Sequence, residues 1–180
     1  EIKVNAVVRR GFNEHAVLDL VDHFRGTGCI VRFIEYMDVG ETNGWNLDDV
    51  IPARELISQI DAKYPVEPIS PNYQGEVAKR WRFRDDQGEI GFITSVTESF
   101  CGDCSRARLS AVGQIYTCLF ATEGHDLRML LRSGASDSDL LESITNIWQT
   151  RSDRYSELRG MNAPMPDSGK VKVEMSHIGG

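Results

Sequence analysis

No stretch of this sequence runs to 18 apolar residues, so no segment has the length that a membrane-spanning helix requires. A secretory pattern is also missing from its start, which makes the cytoplasm the default compartment and leaves no membrane partner to expect. Positive charge is in deficit: 20 lysines and arginines against 27 acidic residues leave a net charge of −7. Such a chain has no broad basic field to displace counterions from phosphates, which excludes general nucleic-acid binding. Internal repeats and low-complexity blocks are absent too, so arrays and solenoids drop out. Cysteine is scarce, with four residues. In an acidic chain without secretory features these point to metal or catalysis before disulfides. The 41% hydrophobic and 26% charged fractions are those of a soluble globular chain with a core, as one domain or two small ones.

Three of the four cysteines fall between Phe100 and Phe120, spaced C-x2-C-x13-C as Cys101, Cys104 and Cys118. A C-x2-C turn aims two thiolates at one metal position, and a third from a paired strand completes a soft trigonal set. Three ligands are one short of a closed site, and an open iron can hold a substrate. Zinc on the three cysteines and His125, a disulfide with a stray thiol, and reduced structural thiols remain alternatives on spacing alone. Arg106 and Arg108 stand two apart on an expected strand and so share a face. Two guanidinium forks beside a thiolate site suit a polyphosphate better than a protein carboxylate.

Ile2 to Val8 is an apolar run broken by Lys3 and Asn5, which reads as a covered parallel strand with a functional face. Asn13 is placed to cap an amphipathic helix through about Arg25, with Val17, Leu18, Val21 and Phe24 inward. Gly26 and Gly28 end it. Ile30 to Tyr36, apolar except for Arg32 and Glu35, is a second strand, and the spacing predicts a parallel βαβ unit. Lys3, Asn5 and Arg32 then face either a solvent edge or a ligand-lined interior. Asp38 to Pro52 reads as a boundary loop, Pro52 to Tyr64 as a helix, and 65–79 as a second loop with three prolines.

Arg80 to Arg84 and Glu89 to Thr94 predict a hairpin about Asp85-Asp86-Gln87-Gly88. The alternating stripe Lys79-Arg80-Trp81-Arg82-Phe83-Arg84 fits a half-buried hairpin or a stacking platform for single-stranded nucleic acid. A second hairpin, Arg106 to Ala111 with Gln114 to Leu119, is expected to return Cys118 beside Cys104. Helices follow over Leu127 to Leu131 and Leu140 to Trp148, the second capped by Ser136. After Arg151 the periodicity fades, and the tail has the composition of a disordered terminus. Cys29, ahead of the second strand, reads as a small core residue.

Cys101-Gly-Asp-Cys104-Ser-Arg106-Ala-Arg108, the later Cys118-Leu-Phe, the run from Val31 to Met37 and the terminal Gly179-Gly180 resemble, in order, the radical-SAM GTP 3′,8-cyclase family of molybdenum cofactor biosynthesis. The resemblance covers essentially all 180 residues. That family's other cluster motif, C-x3-C-x2-C, and an initiator Met are both missing, so a C-terminal portion is expected, with an N-terminal radical-SAM half as its partner. The implied fold is α/β over residues 1–40, the last two βα units of an incomplete TIM-like barrel. Residues 41–180 would form an α+β iron–sulfur domain with antiparallel hairpins.

The resemblance also implies a 4Fe-4S cluster on Cys101, Cys104 and Cys118, with one iron open for substrate. S-adenosylmethionine and a second 4Fe-4S cluster would belong to the full-length enzyme. GTP binding falls to Lys3, Arg106, Ala107 and Arg108, and S-adenosylmethionine binding to Met37 and Asn5. Catalytic positions fall at Arg32, Gly179 and Gly180, with the glycine pair reaching into the active site and Arg32 as the partner of the chain end. In the family a 5′-deoxyadenosyl radical abstracts a ribose hydrogen, and the C3′ radical attacks guanine C8. The product is (8S)-3′,8-cyclo-7,8-dihydroguanosine 5′-triphosphate, so the enzyme is a lyase. Without the first cluster the present chain is expected to be inactive alone. A homodimer stays open, as do two rival readings: a non-catalytic zinc-binding interaction module, and a radical-SAM relative with a C-terminal cluster acting on peptides.

Overall fold

A computed structural model describes residues 1–40, 42–161 and 169–178 of the protein. It divides into two compact units, one of residues 1–37 and 45–104, the other of residues 38–44 and the described part of 105–180. The structure is mixed α/β, with a mixed five-stranded sheet in the first unit and a three-stranded antiparallel sheet in the second.

In the first unit, β1 (Ile2–Val8), α1 (Val17–Phe24) and β2 (Cys29–Glu35) form the expected parallel βαβ unit, with Asn5 opposite Arg32. After α2 (Ala53–Lys63) come β3 (Val66–Ile69), β4 (Lys79–Phe83) and β5 (Glu89–Ile93), and the sheet order is β1-β2-β5-β4-β3. β5 runs parallel to β2, with Arg32 opposite Gly91, while β3–β4 and β4–β5 are antiparallel. The hairpin therefore adds to the same sheet as the first two strands, and that sheet continues past residue 40. One face of it carries Val8, Val31, Phe33, Ile90 and Phe92, which pack with Val17 and Val21 of α1 and Leu56 and Ile60 of α2. Phe33 and Phe92 are fully buried, their ring centroids 5.9 Å apart.

Two local expectations change. Asn13 does not cap α1: its Oδ1 accepts from Arg9 N–H at 2.8 Å and its Nδ2 donates to the Val7 carbonyl at 2.9 Å. A 3₁₀ turn, Glu14–Ala16, leads into the helix instead. The second loop holds β3, and Pro68 fits there because β3 is an edge strand that tolerates a missing N–H. The basic stripe is neutralised within the unit. Arg80 is bidentate on Glu89 at 2.8 Å, Arg82 lies 2.5 Å and Arg84 3.7 Å from Glu67, and Lys79 pairs with Glu98. Trp81 and Phe83 pack on the core, so the alternation is that of a half-buried hairpin.

In the second unit β6 (Arg108–Leu109), β7 (Gln114–Tyr116) and β8 (His125–Asp126) pair antiparallel in sequence order. The β6–β7 turn requires Gly113, whose φ is +80° and where a Cβ would lie 2.7 Å from Cβ of Arg128. α3 (Leu127–Arg132) starts at Asp126, whose side chain accepts from Met129 N–H, and α4 (Asp137–Gln149) starts in a full Ser136/Asp139 capping box. Ile115, Leu127 and Ile147 form the small core. α5 (Tyr155–Gly160) lies where the sequence shows no periodicity, because six residues are too few to display one. Nor is the described tail loose, since Ile178 is 1% exposed.

Glu35 is the first unit's buried anion, 3% exposed at the end of β2. Its carboxylate accepts from Ala53 N–H at 3.1 Å, Val96 and Thr97 N–H at 2.9 Å and Thr97 Oγ1 at 2.5 Å. It therefore joins β2 to the start of α2 and to the turn after β5, where the helix dipole also favours a negative charge. Glu35→Gln turns an amide donor toward these donors. We expect it to destabilise the protein by about 3 kcal/mol, the scale of one or two charged hydrogen bonds in a buried site. Urea unfolding reads this directly, and a loss under about 1 kcal/mol would rule out the clamp.

Candidate functional site

The segment leaving the Glu35 clamp leads to the cysteines. Cys101–Asp103 is a 3₁₀ turn closed by Cys104 N–H donating to the Cys101 carbonyl at 3.3 Å, so both thiols leave one tight turn. None of the four cysteines is in a disulfide and all are half-buried, which removes the disulfide alternative. Beside the turn a cavity of about 410 Å³ is lined by Tyr73, Phe100 and Asp103 among others, a volume within the range of small-molecule sites. Cys29 opens β2, at the end opposite Met37.

The same unit places Lys3, Asn5 and Arg32 on the sheet face that α1 and α2 leave uncovered. Arg32 Nε donates to Asn5 Oδ1 at 2.8 Å, and the Arg32 chain lies over Gly91, where a Cβ would meet its Cγ at 3.1 Å. Lys3 pairs with Glu1 at 3.0 Å, both side chains well exposed. Met37, half-buried, follows Tyr36, whose carbonyl accepts from Trp45 Nε1 at 2.8 Å.

In the second unit only Arg108 lies within the β6 ladder, but the exposure alternates from Ser105 through Ser110. Arg106 and Arg108 are half-buried between exposed Ser105, Ala107 and Leu109, so the two guanidinium groups do share a side. The β6–β7 ladder is two pairs long, Arg108 opposite Tyr116 and Leu109 opposite Ile115, and both Arg106 and Cys118 lie beyond it. Cys118 Sγ accepts from Phe120 N–H at 3.4 Å, the kind of bond that steadies a metal-bound thiolate. His125 is exposed in β8. Among the described residues no three His, Cys, Asp or Glu side chains are gathered as a metal group. Cys101 and Cys104 belong to one unit and Cys118 to the other. The donor chemistry fits a soft metal: thiols outside any disulfide, two on one turn and a third holding an N–H donor. Gly179 and Gly180 lie outside the described residues.

A cluster that local sequence does not announce sits at Asp38, 8% exposed. Tyr155 Oη donates to its Oδ2 at 2.5 Å, Lys172 Nζ donates to the same oxygen at 3.0 Å, and the Arg159 guanidinium pairs with Oδ1. Burial pushes the Asp38 carboxyl up, but the Tyr155 hydroxyl and the two cations outweigh it and hold it below its ordinary value. Burial pushes the Lys172 ammonium down, and its bonds to Tyr155 and Asp38 raise it on balance. Burial, then the bond to Asp38, raises the Tyr155 hydroxyl.

The family model described as Molybdenum Cofactor Synthesis C matches residues 29–157. The chain belongs to that family. The chain is also similar to curated relatives named GTP 3′,8-cyclase. Those of Acidothermus cellulolyticus, Xanthomonas axonopodis pv. citri and Staphylococcus epidermidis are 50%, 51% and 44% identical over 99%, 99% and 100% of this chain. The matches cover 55%, 52% and 53% of those proteins, so the chain spans about half the length of the curated relatives it matches.

The Asp38 cluster has a pH signature. A carboxyl held low in the fold contributes stability that is present above its unfolded value of about 3.9 and lost as pH falls through the lower folded value. Lys172 and Tyr155, raised in the fold, contribute stability below their unfolded values near about 10, lost as pH climbs through the folded ones. The stability difference between wild type and Asp38→Asn should therefore be largest near neutrality and shrink below about pH 4. Denaturant titrations at pH 3 and pH 7 measure it, and a constant difference would contradict a charge-based cluster.

Proposed function

We propose that the chain is the C-terminal part of a GTP 3′,8-cyclase, the lyase that makes the cyclised nucleotide of molybdenum cofactor biosynthesis. Residues 1–40 supply the closing βα units of an incomplete barrel, and residues 41–180 hold the cluster and the nucleotide. Cys101, Cys104 and Cys118 would ligate a 4Fe-4S cluster. When bound, that cluster supplies a Lewis-acidic iron left open for the guanine. The observation that carries the reading is the half-buried Arg106 and Arg108 on one side of their segment, directly behind the cysteine turn in sequence.

Arg106 and Arg108, with the amide of Ala107 between them, and Lys3 neutralise the triphosphate. Asn5 and Met37 would contact S-adenosylmethionine, in partnership with the N-terminal half and its own cluster. Arg32, oriented by Asn5, and the Gly179-Gly180 end complete the catalytic set by fixing base against ribose before the chemistry starts. The protein acts in the cytoplasm, without membrane or nucleic-acid partners.

Two measurements test this. Anaerobic reconstitution of the 180 residues should give about four irons and four sulfides per chain, with no turnover of GTP. One zinc without sulfide would favour the interaction module instead, and turnover by this chain alone would overturn the two-half assignment. In the full-length enzyme, Arg106→Ala and Arg108→Ala should each weaken GTP binding by about 1.5–3 kcal/mol, roughly 10- to 150-fold, at unchanged iron content. Calorimetric affinities equal to wild type in both variants would return the pair to a structural role.

A further inference from the structure

Two of the Lys172 hydrogen bonds go to one residue: Nζ donates at 3.0 Å to Oδ2 of Asp38 and at 3.0 Å to its backbone carbonyl. Two bonds to groups fixed on the same residue set the direction of the tail as well as its distance. Asp38 is held in turn by Tyr155 and Arg159, and Tyr155 stacks on Phe120 with centroids 4.5 Å apart and planes 16° off parallel. The Lys172 ammonium lies 4.8 Å from the Tyr155 ring centre, a cation–π contact that adds to the same geometry.

The residues that follow are seated one after another. Val173 N–H donates to the Ala121 carbonyl at 3.1 Å. Glu174 lies against Gly40 so closely that a Cβ there would come within 2.2 Å of its carboxylate, and Thr42 Oγ1 donates to it at 3.4 Å. Ile178 N–H donates to the Met175 carbonyl at 3.1 Å, and the Ile178 side chain is buried. The tail is thus fixed up to the residue before Gly179. A buried ion cluster is a weak source of net stability, since its desolvation offsets its attraction, but it favours one arrangement over its neighbours.

We propose that Asp38 is a positioning residue for catalysis, anchoring the tail through Lys172 so that the terminal glycine pair starts from a fixed point. This rests on the reading above in which that pair acts in the reaction. Without the anchor, ordering the tail would have to be repeated in each turnover, and the loss would fall on kcat rather than on substrate binding.

The test uses the full-length enzyme with Asp38→Asn, Lys172→Met, deletion of Gly179-Gly180, and Asp38→Asn combined with the deletion. Each of the first three should lower kcat at least tenfold, with GTP affinity and iron content within about twofold of wild type. Adding Asp38→Asn to the deletion should cost less than about twofold more, because both act through the same tail. Independent multiplication of the two effects would overturn the proposal, as would kcat within twofold of wild type for both Asp38→Asn and Lys172→Met. Amide exchange supplies a readout independent of turnover. Val173 and Ile178 should lose protection in Lys172→Met while Phe92 keeps its own, and unchanged protection at both would overturn the anchor. Should the deletion alone keep wild-type turnover, the catalytic reading of the glycine pair fails, and the exchange data still decide whether Asp38 holds the tail.

Discussion

A carboxylate taken out of water at the end of a parallel strand is costly unless donors surround it, and Glu35 is surrounded by four. Those donors come from the first residue of α2 and from the turn after β5, so one side chain closes three segments at the same end of the sheet. Open sheets place ligands at the carboxyl ends of their strands, where loops rather than strands supply the side chains. Such loops need fixing if they are to carry chemistry. Here the turn held by Val96 and Thr97 continues into Cys101–Asp103, so the position of the cysteine pair within its unit follows from where Glu35 holds the chain.

The second unit solves a similar problem with a different balance of charge. Asp38 is also a buried carboxylate, but two of its partners are cations and one is a hydroxyl. Uncharged donors, as at Glu35, satisfy an anion and join segments. A cationic partner additionally lets the site sense which side chain arrives, because an uncharged residue in place of Lys172 would leave the carboxylate short of a counter-charge. The aromatic pair Phe120 and Tyr155 presents ring faces to Arg159 and Lys172, which lowers the cost of holding two cations near each other.

Features set by neighbours in sequence were legible before the fold was known. Apolar runs gave β1 and β2, Ser136 announced α4, and the Asp85 to Gly88 turn placed the β4–β5 hairpin. Failures came where distant partners decide. β3 is short and contains Pro68, so only its pairing with β4 makes it a strand. Asn13 has the chemistry of a cap, yet the end of β1 passes close enough to claim its side chain. The parallel pairing of β2 with β5 joins residues about sixty positions apart, beyond any local pattern. The candidate site divides the same way. The cysteine spacing and the arginine alternation were readable, whereas the partners of Asp38 lie 117 to 134 residues away and left no local trace.

Lys3, Asn5 and Arg32 show how a local oddity becomes a positional statement. Charged and amide side chains on parallel strands conflict with the usual cover on both faces. Burial along β1 resolves part of the conflict: Val4, Ala6 and Val8 turn toward the helices, while Lys3, Asn5 and Val7 are exposed on the opposite face. Arg32 and Asn5 are register partners and bond each other, so neither is an isolated polar group. Gly91 completes the arrangement, because a Cβ there would press on both the Arg32 stem at 3.1 Å and Ala78 at 3.3 Å. A face that holds an arginine stem against a glycine and directs its Nε by an amide keeps that guanidinium oriented on the sheet.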